Sequence, residues 1–401
     1  MGRIEVRRKG LQSRGYNVIA FTSNGKLVDQ PAAICYALLM ARVYNFYAGP
    51  ATLPLPVLEQ IQQDFVDYQG AGLSLVETSH RSKEYAAVHS RAMALIRQLL
   101  QVPDNCSVLF LGGGATMQFG MIPMNLAAPD STGAPVSIDM TLSGSWAKKA
   151  LSDAKNYATV HTVFDGSEAS FTSLPAASSL HSSPGAAYFH ITSNETIEGL
   201  QWKEFPQVDA PVVADMSSDI MSRPLPIEDF GLIYAGAQKN LGPAGVTVVI
   251  IRNDLLDRTP VDVPAYLSYR THAEKESLYN TPPVFSIWAL SLVLEWIVDQ
   301  GGLGAVADRN RRKAAALYEA IEGSAGYYRC PVDRAFRSDM NVVFRLPDEE
   351  TEKRFIAGAA EAGMIGLKGH RSVGGVRASI YNAMPEEGVE KLVAYMRDFR
   401  S

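Results

Sequence analysis

Cysteine is scarce in this sequence. Its three members, Cys35, Cys106 and Cys330, lie far apart in 401 residues, with no spacing that would hold a metal or run a redox pair. A sparse, odd set suits a reducing compartment and excludes a disulfide framework. Long hydrophobic runs are lacking too. Residues 32–41 form an apolar run of ten, too short to span a bilayer and too far from the basic start to serve as a secretory signal. There is no positive excess: 37 Lys and Arg stand against 42 Asp and Glu, a net charge of −5. That balance argues against a nucleic-acid or anionic-membrane surface. Internal repeats and low-complexity tracts are absent. The dinucleotide fingerprint Gly-x-Gly-x-x-Gly fails because Met117 holds its last glycine position, and no Gly-Lys-Ser/Thr follows, so a P-loop is excluded as well.

What the chain does have is a lysine in an unusual place. Lys239 follows the apolar run Leu232-Ile233-Tyr234 and precedes Leu241-Gly242-Pro243 and the strand-like Val246-Thr247-Val248-Val249-Ile250-Ile251. A lysine at the mouth of a buried strand is poorly solvated, which disfavours its ammonium form and frees its amine as a nucleophile. Most lysines lie in solvated loops, so the company of this one decides. Upstream, Val212-Val213-Ala214-Asp215 reads as a buried strand ending in a carboxylate. In parallel α/β sheets the ligand crevice lies outside the carboxyl ends of the strands. A lone aspartate there is more often a helix cap. Paired with Lys239, it fits the partner that the pyridine nitrogen of pyridoxal phosphate (PLP) requires. Further upstream, Ser107-Val108-Leu109-Phe110-Leu111 runs into Gly112-Gly113-Gly114-Ala115-Thr116. A strand, a glycine turn and a helix start together make a phosphate cradle of backbone N–H groups.

These residues resemble the phosphoserine aminotransferase family of the fold-type I, class V PLP enzymes. The likeness runs from about Tyr44 to the C-terminus. It is carried by Asn45-Phe46-Tyr47-Ala48-Gly49-Pro50-Ala51, Ser79-His80-Arg81-Ser82-Lys83-Glu84, the triglycine, Ser193-Asn194-Glu195-Thr196-Ile197-Glu198-Gly199, the lysine segment, Tyr279-Asn280-Thr281-Pro282-Pro283, and the stretch from Lys368 to Pro385. The resemblance implies that Lys239 holds PLP covalently and moves the substrate proton. It implies that Asp215 faces the pyridine nitrogen, Trp146 stacks on the ring, and Thr196 donates to the phenolic oxygen. Ala115, Thr116 and Gln238 would bind the cofactor phosphate, completed by Asn280 and Thr281 from the neighbouring subunit of a homodimer with shared active sites. Arg377 would clamp the substrate α-carboxylate, since its planar fork suits that group. Arg81, His370 and Arg371 would form a second anchor for the phosphate of phosphoserine or the γ-carboxylate of glutamate. No metal is implied. Two departures stand out: Ala115-Thr116 replaces the Gly-Arg of some members, and Ala48 stands where serine is common.

The implied reaction moves an amino group between glutamate and 3-phosphohydroxypyruvate, giving phosphoserine and 2-oxoglutarate by ping-pong kinetics. The homologous phosphohydroxythreonine pair of vitamin B6 synthesis stays open. A related transaminase with a non-phosphorylated acceptor, such as an alanine–glyoxylate enzyme, would not need His370 and Arg371. A non-catalytic PLP-binding descendant would have lost Lys239 or a substrate arginine, and both are present.

The expected fold is α/β: a large domain, residues 56–301, with a mostly parallel mixed sheet flanked by helices, and a smaller C-terminal α/β domain, 302–401. Residues 44–55 are expected to pack near the active site. Helical periodicity is read over 59–68, over 85–100 with Arg91 and Arg97 outward, and over 286–298. The small domain is read as helix 305–322, strand 340–346, helix 352–362, strand 376–381 and helix 386–399, after a break at Gly301-Gly302. Residues 1–39 carry six Lys or Arg against two acids. They suit an organellar transit peptide by composition, but the simpler reading makes residues 1–43 an upstream extension outside the fold of a cytoplasmic enzyme.

Overall fold

The computed structural model describes residues 42–127 and 136–400, with two short strands, Ala20–Phe21 and Leu27–Val28. The chain divides into two compact units, residues 1–44 and 45–401. In the first, the two short strands pair antiparallel. Most of residues 1–43, including Cys35 and the apolar run, lies outside the described residues, and with it the reading of an extension.

The second unit is built on a seven-stranded sheet. Its strands are β1 (Cys106–Leu111), β2 (Ser137–Leu142), β3 (Thr159–Asp165), β4 (Phe189–Thr192), β5 (Val212–Asp215), β6 (Phe230–Gly236) and β7 (Thr247–Arg252). They lie in the order β1-β7-β6-β5-β4-β2-β3. Only β7 runs against its neighbours β6 and β1. The sheet is therefore mixed and mostly parallel, which is why β4, β5 and β6 are buried along their whole length, even where β4 carries His190 and Thr192.

Successive side chains leave opposite faces of each strand, and the core divides accordingly. Val108, Phe110, Ile233 and Ala235 join one apolar cluster with α2 (Lys83–Leu100) and α5 (Val284–Asp299). Leu109, Leu111, Leu232 and Tyr234 join another with α3 (Gly114–Leu126) and α4 (Ser145–Ala154). Both faces are covered by helices, as in a doubly wound fold.

Boundaries differ from the sequence reading where capping decides. The first helix, α1, spans Leu55–Asp64, earlier than 59–68, because Pro54 and Pro56 suit a helix start. On α2 the Ser82 hydroxyl accepts from the Tyr85 N–H at 3.2 Å. The buried stripe is Tyr85, Val88, Ala92, Leu95, Ile96 and Leu100. Arg91 pairs with Glu295 at the surface. Arg97 is not outward: its guanidinium folds back onto the carbonyls of Pro103 and Cys106. After Gly301, whose φ of +91° suits glycine alone, come α6 (Gly302–Glu322), β8 (Asn341–Phe344), α7 (Glu349–Glu361), β9 (Val376–Ser379) and α8 (Glu386–Arg400). Strands β8 and β9 pair antiparallel.

Candidate active site

Asp215 is the last residue of β5, and Lys239 lies three residues beyond the end of β6, the parallel neighbour. Both stand at the carboxyl edge of the sheet. The Lys239 ammonium donates to the Thr196 hydroxyl at 2.7 Å. Burial lowers its pKa to about 8, against the pull of Asp215 and with help from Arg377. Asp215 is buried, and its carboxyl pKa is raised by that burial although the Ser217 N–H donates to it at 2.9 Å.

Thr196 lies in a tight turn between two short strands, Asn194–Glu195 and Leu200–Gln201. Its hydroxyl meets Lys239, and its carbonyl accepts from the Arg377 guanidinium at 3.2 Å. The buried Nε of Arg377 has no partner, so that part of its fork remains available. Trp146 lies in the first turn of α4, its ring centroid 5.8 Å from the Lys239 ammonium.

Two residues that sequence reasoning passed over hold that tryptophan. Glu195 accepts from the N–H groups of Trp146 and Ala147 and from the Ser143 hydroxyl, each at 3.1 Å. Glu198 accepts from the N–H of Ser145 at 3.1 Å and from its hydroxyl at 2.5 Å. Two carboxyl groups thus satisfy the orphan donors at the start of α4. Burial, then repulsion from Glu198, pushes the Glu195 pKa up to about 8; burial raises Glu198 as well. At Gly144 a Cβ would come within 2.5 Å of the Glu195 carboxyl carbon, so only glycine admits the clamp. Both glutamates lie in the motif that supplied Thr196, but nothing local in that motif points to these partners.

A second set of ties holds the segment after Arg377. Lys313, buried on α6, donates to the carbonyls of Ile380, Tyr381 and Met384 at 2.7–3.1 Å, and burial drives its pKa well below the usual value. The Asn382 N–H donates to the side chain of Asn240, the residue after Lys239. The Tyr381 hydroxyl donates to Ala48 O at 2.7 Å, and the Ala51 N–H to Gln238 O at 2.9 Å. These bonds join the ends of β6 and β9 to residues 45–52.

The glycine turn is formed. Gly113, at φ +83°, caps α3, and a Cβ there would lie 2.5 Å from Met117 Cβ. Ala115 and Thr116 sit in the first turn of α3, where N–H groups lack helical partners. The Gln238 side chain packs against Gly236.

His370 is half-buried in the loop between Gly369 and Gly375, its Nδ1 2.7 Å from the Ser372 hydroxyl. Burial and the charges of Arg377, Arg371 and Lys149 lower its pKa. Among the described residues Arg81 makes no side-chain hydrogen bond or ion pair to this group. Its neighbour His80 meets the Thr281 hydroxyl at 3.4 Å, and Asn280 donates to the Thr281 carbonyl. Arg81, Asn280 and Thr281 are all exposed, and their hydrogen bonds stay in their own neighbourhood.

The model of the class-V aminotransferase family matches residues 43–392. Phosphoserine aminotransferase of Geobacillus kaustophilus is 54% identical over 361 residues, covering 90% of this chain and 99% of its own. The chain belongs to the phosphoserine aminotransferase family. The solved phosphoserine aminotransferase of Bacillus circulans subsp. alkalophilus superposes with a TM-score of 0.87 at 50% identity, covering 90% of this chain and 99% of that one. The PLP-bound phosphoserine aminotransferase of Trichomonas vaginalis does so with 0.81 at 38% identity, covering 89% and 100%. Fold-type I architecture is thereby established for this chain. Among the described residues no single helix is long and apolar enough to cross a membrane, and no group of three or more His, Cys, Asp or Glu is placed to hold a metal.

Proposed function

We propose that this chain is a PLP-dependent aminotransferase that moves an amino group between L-glutamate and 3-phosphohydroxypyruvate, giving O-phospho-L-serine and 2-oxoglutarate. The observation that carries this is Lys239: an amine with its pKa lowered to about 8, held by Thr196 beside the strand-end carboxylate Asp215.

The residues present fit the cofactor. Lys239 offers the amine that anchors it, Asp215 the partner for its ring nitrogen, and Trp146 a plate clamped by Glu195 and Glu198. The first turn of α3, with Ala115 and Thr116, and Gln238 suit its phosphate, and Thr196 suits its phenolic oxygen. When bound, the cofactor supplies an electron sink for the bond broken at the substrate Cα. The chain's own residues do the rest. The Lys239 amine takes the Cα proton, a task for which its lowered pKa suits it near neutral pH. Arg377 orients the substrate through its α-carboxylate, and His370 and Arg371 hold the distal anion.

Arg81, Asn280 and Thr281 are all exposed, so we assign all three to the active site of a second copy. Exposed Leu55, Phe65, Val66, Leu73, Val76, Tyr279 and Phe285 lie on the neighbouring segments, and Phe65 and Phe285 touch edge to face. An apolar surface of this extent supports a homodimer. We keep residues from Gly302 onward as a smaller domain, and a cytoplasmic setting in line with free Cys106 and Cys330. Action on phosphohydroxythreonine rests on the family likeness alone.

The test is the absorption spectrum of the purified holoprotein, followed by phosphoserine and, separately, alanine. Loss of the visible cofactor band with phosphoserine but not alanine is expected. A band that responds only to alanine would discard the substrate, and a protein that stays colourless with PLP supplied would discard the enzyme.

A further inference from the structure

Lys149 lies one turn after Trp146 on α4, and its ammonium sits 4.0 Å from the centre of the Trp146 ring, well within cation–π range. The Lys239 amine addresses the same ring at 5.8 Å. The Lys149 charge also acts on His370, together with those of Arg377 and Arg371. Among the described residues, no carboxylate is within ion-pair distance of Lys149, Arg371 or Arg377. Three cations and a histidine thus act on one another near the reactive lysine, and Glu198 is the carboxyl group whose charge reaches Arg377. Such an excess of positive charge favours an anion of high charge, and exposed Lys149 is free to reach one.

We propose that Lys149 is a further cation of the substrate anchor, seated on Trp146 and directed at the phosphate dianion of the substrate. The assignment rests on the phosphoserine aminotransferase reading above and adds a discriminating role to it. The two substrates of the reaction differ at their distal end, a dianionic phosphate against a monoanionic carboxylate. Coulomb attraction to one more cation scales with that charge, so Lys149 favours the phosphorylated partner over glutamate. Its position on α4 ties this preference to the Glu195 and Glu198 clamp, which fixes the start of the same helix.

The test uses holoenzyme and two unreactive ligands in calorimetric titration at low salt: 3-phosphoglycerate, which has the carboxylate and the phosphate, and glutarate, which has two carboxylates. Lys149→Met is expected to weaken 3-phosphoglycerate about five- to tenfold and glutarate about twofold or less, and Lys149→Arg to restore most of the loss. In turnover, Lys149→Met is expected to raise KM for phosphoserine by more than it lowers kcat. Equal affinity of wild type and Lys149→Met for 3-phosphoglycerate overturns the assignment. Equal loss for both ligands overturns the discrimination. A wild type that binds no 3-phosphoglycerate brings down the underlying substrate reading as well, so the two failures are distinct. The visible cofactor band and Tm of each variant show whether it is folded and loaded.

Discussion

At the scale of single residues, Lys239 carries a cost that its function explains. A lysine whose pKa falls from 10.5 to about 8 on folding is destabilising below pH 8, where it must be charged in a poorly solvated place. The cost is relieved as pH rises from about 8 to 10.5, because there the unfolded chain binds more protons than the folded one. In cofactor-free protein, Lys239→Met should therefore gain about 1–3 kcal/mol over wild type at pH 7. The gain should shrink at pH 10. Urea unfolding at both pH values checks it, and a variant less stable than wild type at pH 7 would contradict the account. The distal anchor makes a separate prediction. With His370→Ala and Arg371→Ala combined, kcat/KM for phosphoserine should fall about 10²–10⁴-fold, the loss of two charge-assisted hydrogen bonds. Steady-state assays decide it: turnover that survives undiminished would point to a transaminase with a non-phosphorylated acceptor.

At the scale of elements, the clamp on α4 is the feature with the clearest consequence. Glu195 holds a proton in the folded state up to about pH 8, whereas the unfolded carboxyl releases it near its ordinary value of 4.5. Folding stability should therefore fall as pH rises across that window, because the folded state binds more protons. In Glu195→Gln this part of the slope should vanish. Denaturant midpoints at pH 5.5 and 8.5 measure it; an unchanged slope would mean that Glu195 is ionised in the fold. This clamp also shows where sequence reading stops. Lys239 and Asp215 were legible because each follows an apolar strand, and parallel strands deliver their carboxyl ends to one edge. The sheet was legible for the same reason. Glu195 and Glu198 were not, because their partners Ser143 and Ser145–Ala147 lie about fifty residues away and no local period links a turn to a distant helix start. Lys313 was hidden likewise: on α6 it reads as one more charge on a polar face, and only the fold supplies its three carbonyls. Arg97 failed in the opposite sense, a surface charge by pattern that folds back to close a loop.

At the scale of the whole molecule, the question is which chain's residues serve which site. Lys239, Thr196, Asp215, Trp146 and Arg377 meet within one chain, while Arg81, Asn280 and Thr281 are exposed, with His80 beside Thr281 and exposed apolar residues on the neighbouring segments. If these exposed residues serve a second copy, two crippled variants should repair each other. Lys239→Ala leaves Arg81 intact to serve a partner; Arg81→Glu leaves its own Lys239 intact but serves the partner badly. In a mixed dimer one site then carries both defects and the other carries neither. After unfolding and refolding an equal mixture, half the dimers are mixed by random pairing. Activity on phosphoserine should therefore recover to about one quarter of wild type, far above either variant alone. If Arg81 instead acts in its own chain, every site in every dimer carries one defect and the mixture stays as inactive as its parts. The assay thus reads both the existence of the dimer and the crossing of residues between its sites, because a dimer without crossing gives no recovery and a monomer gives none either.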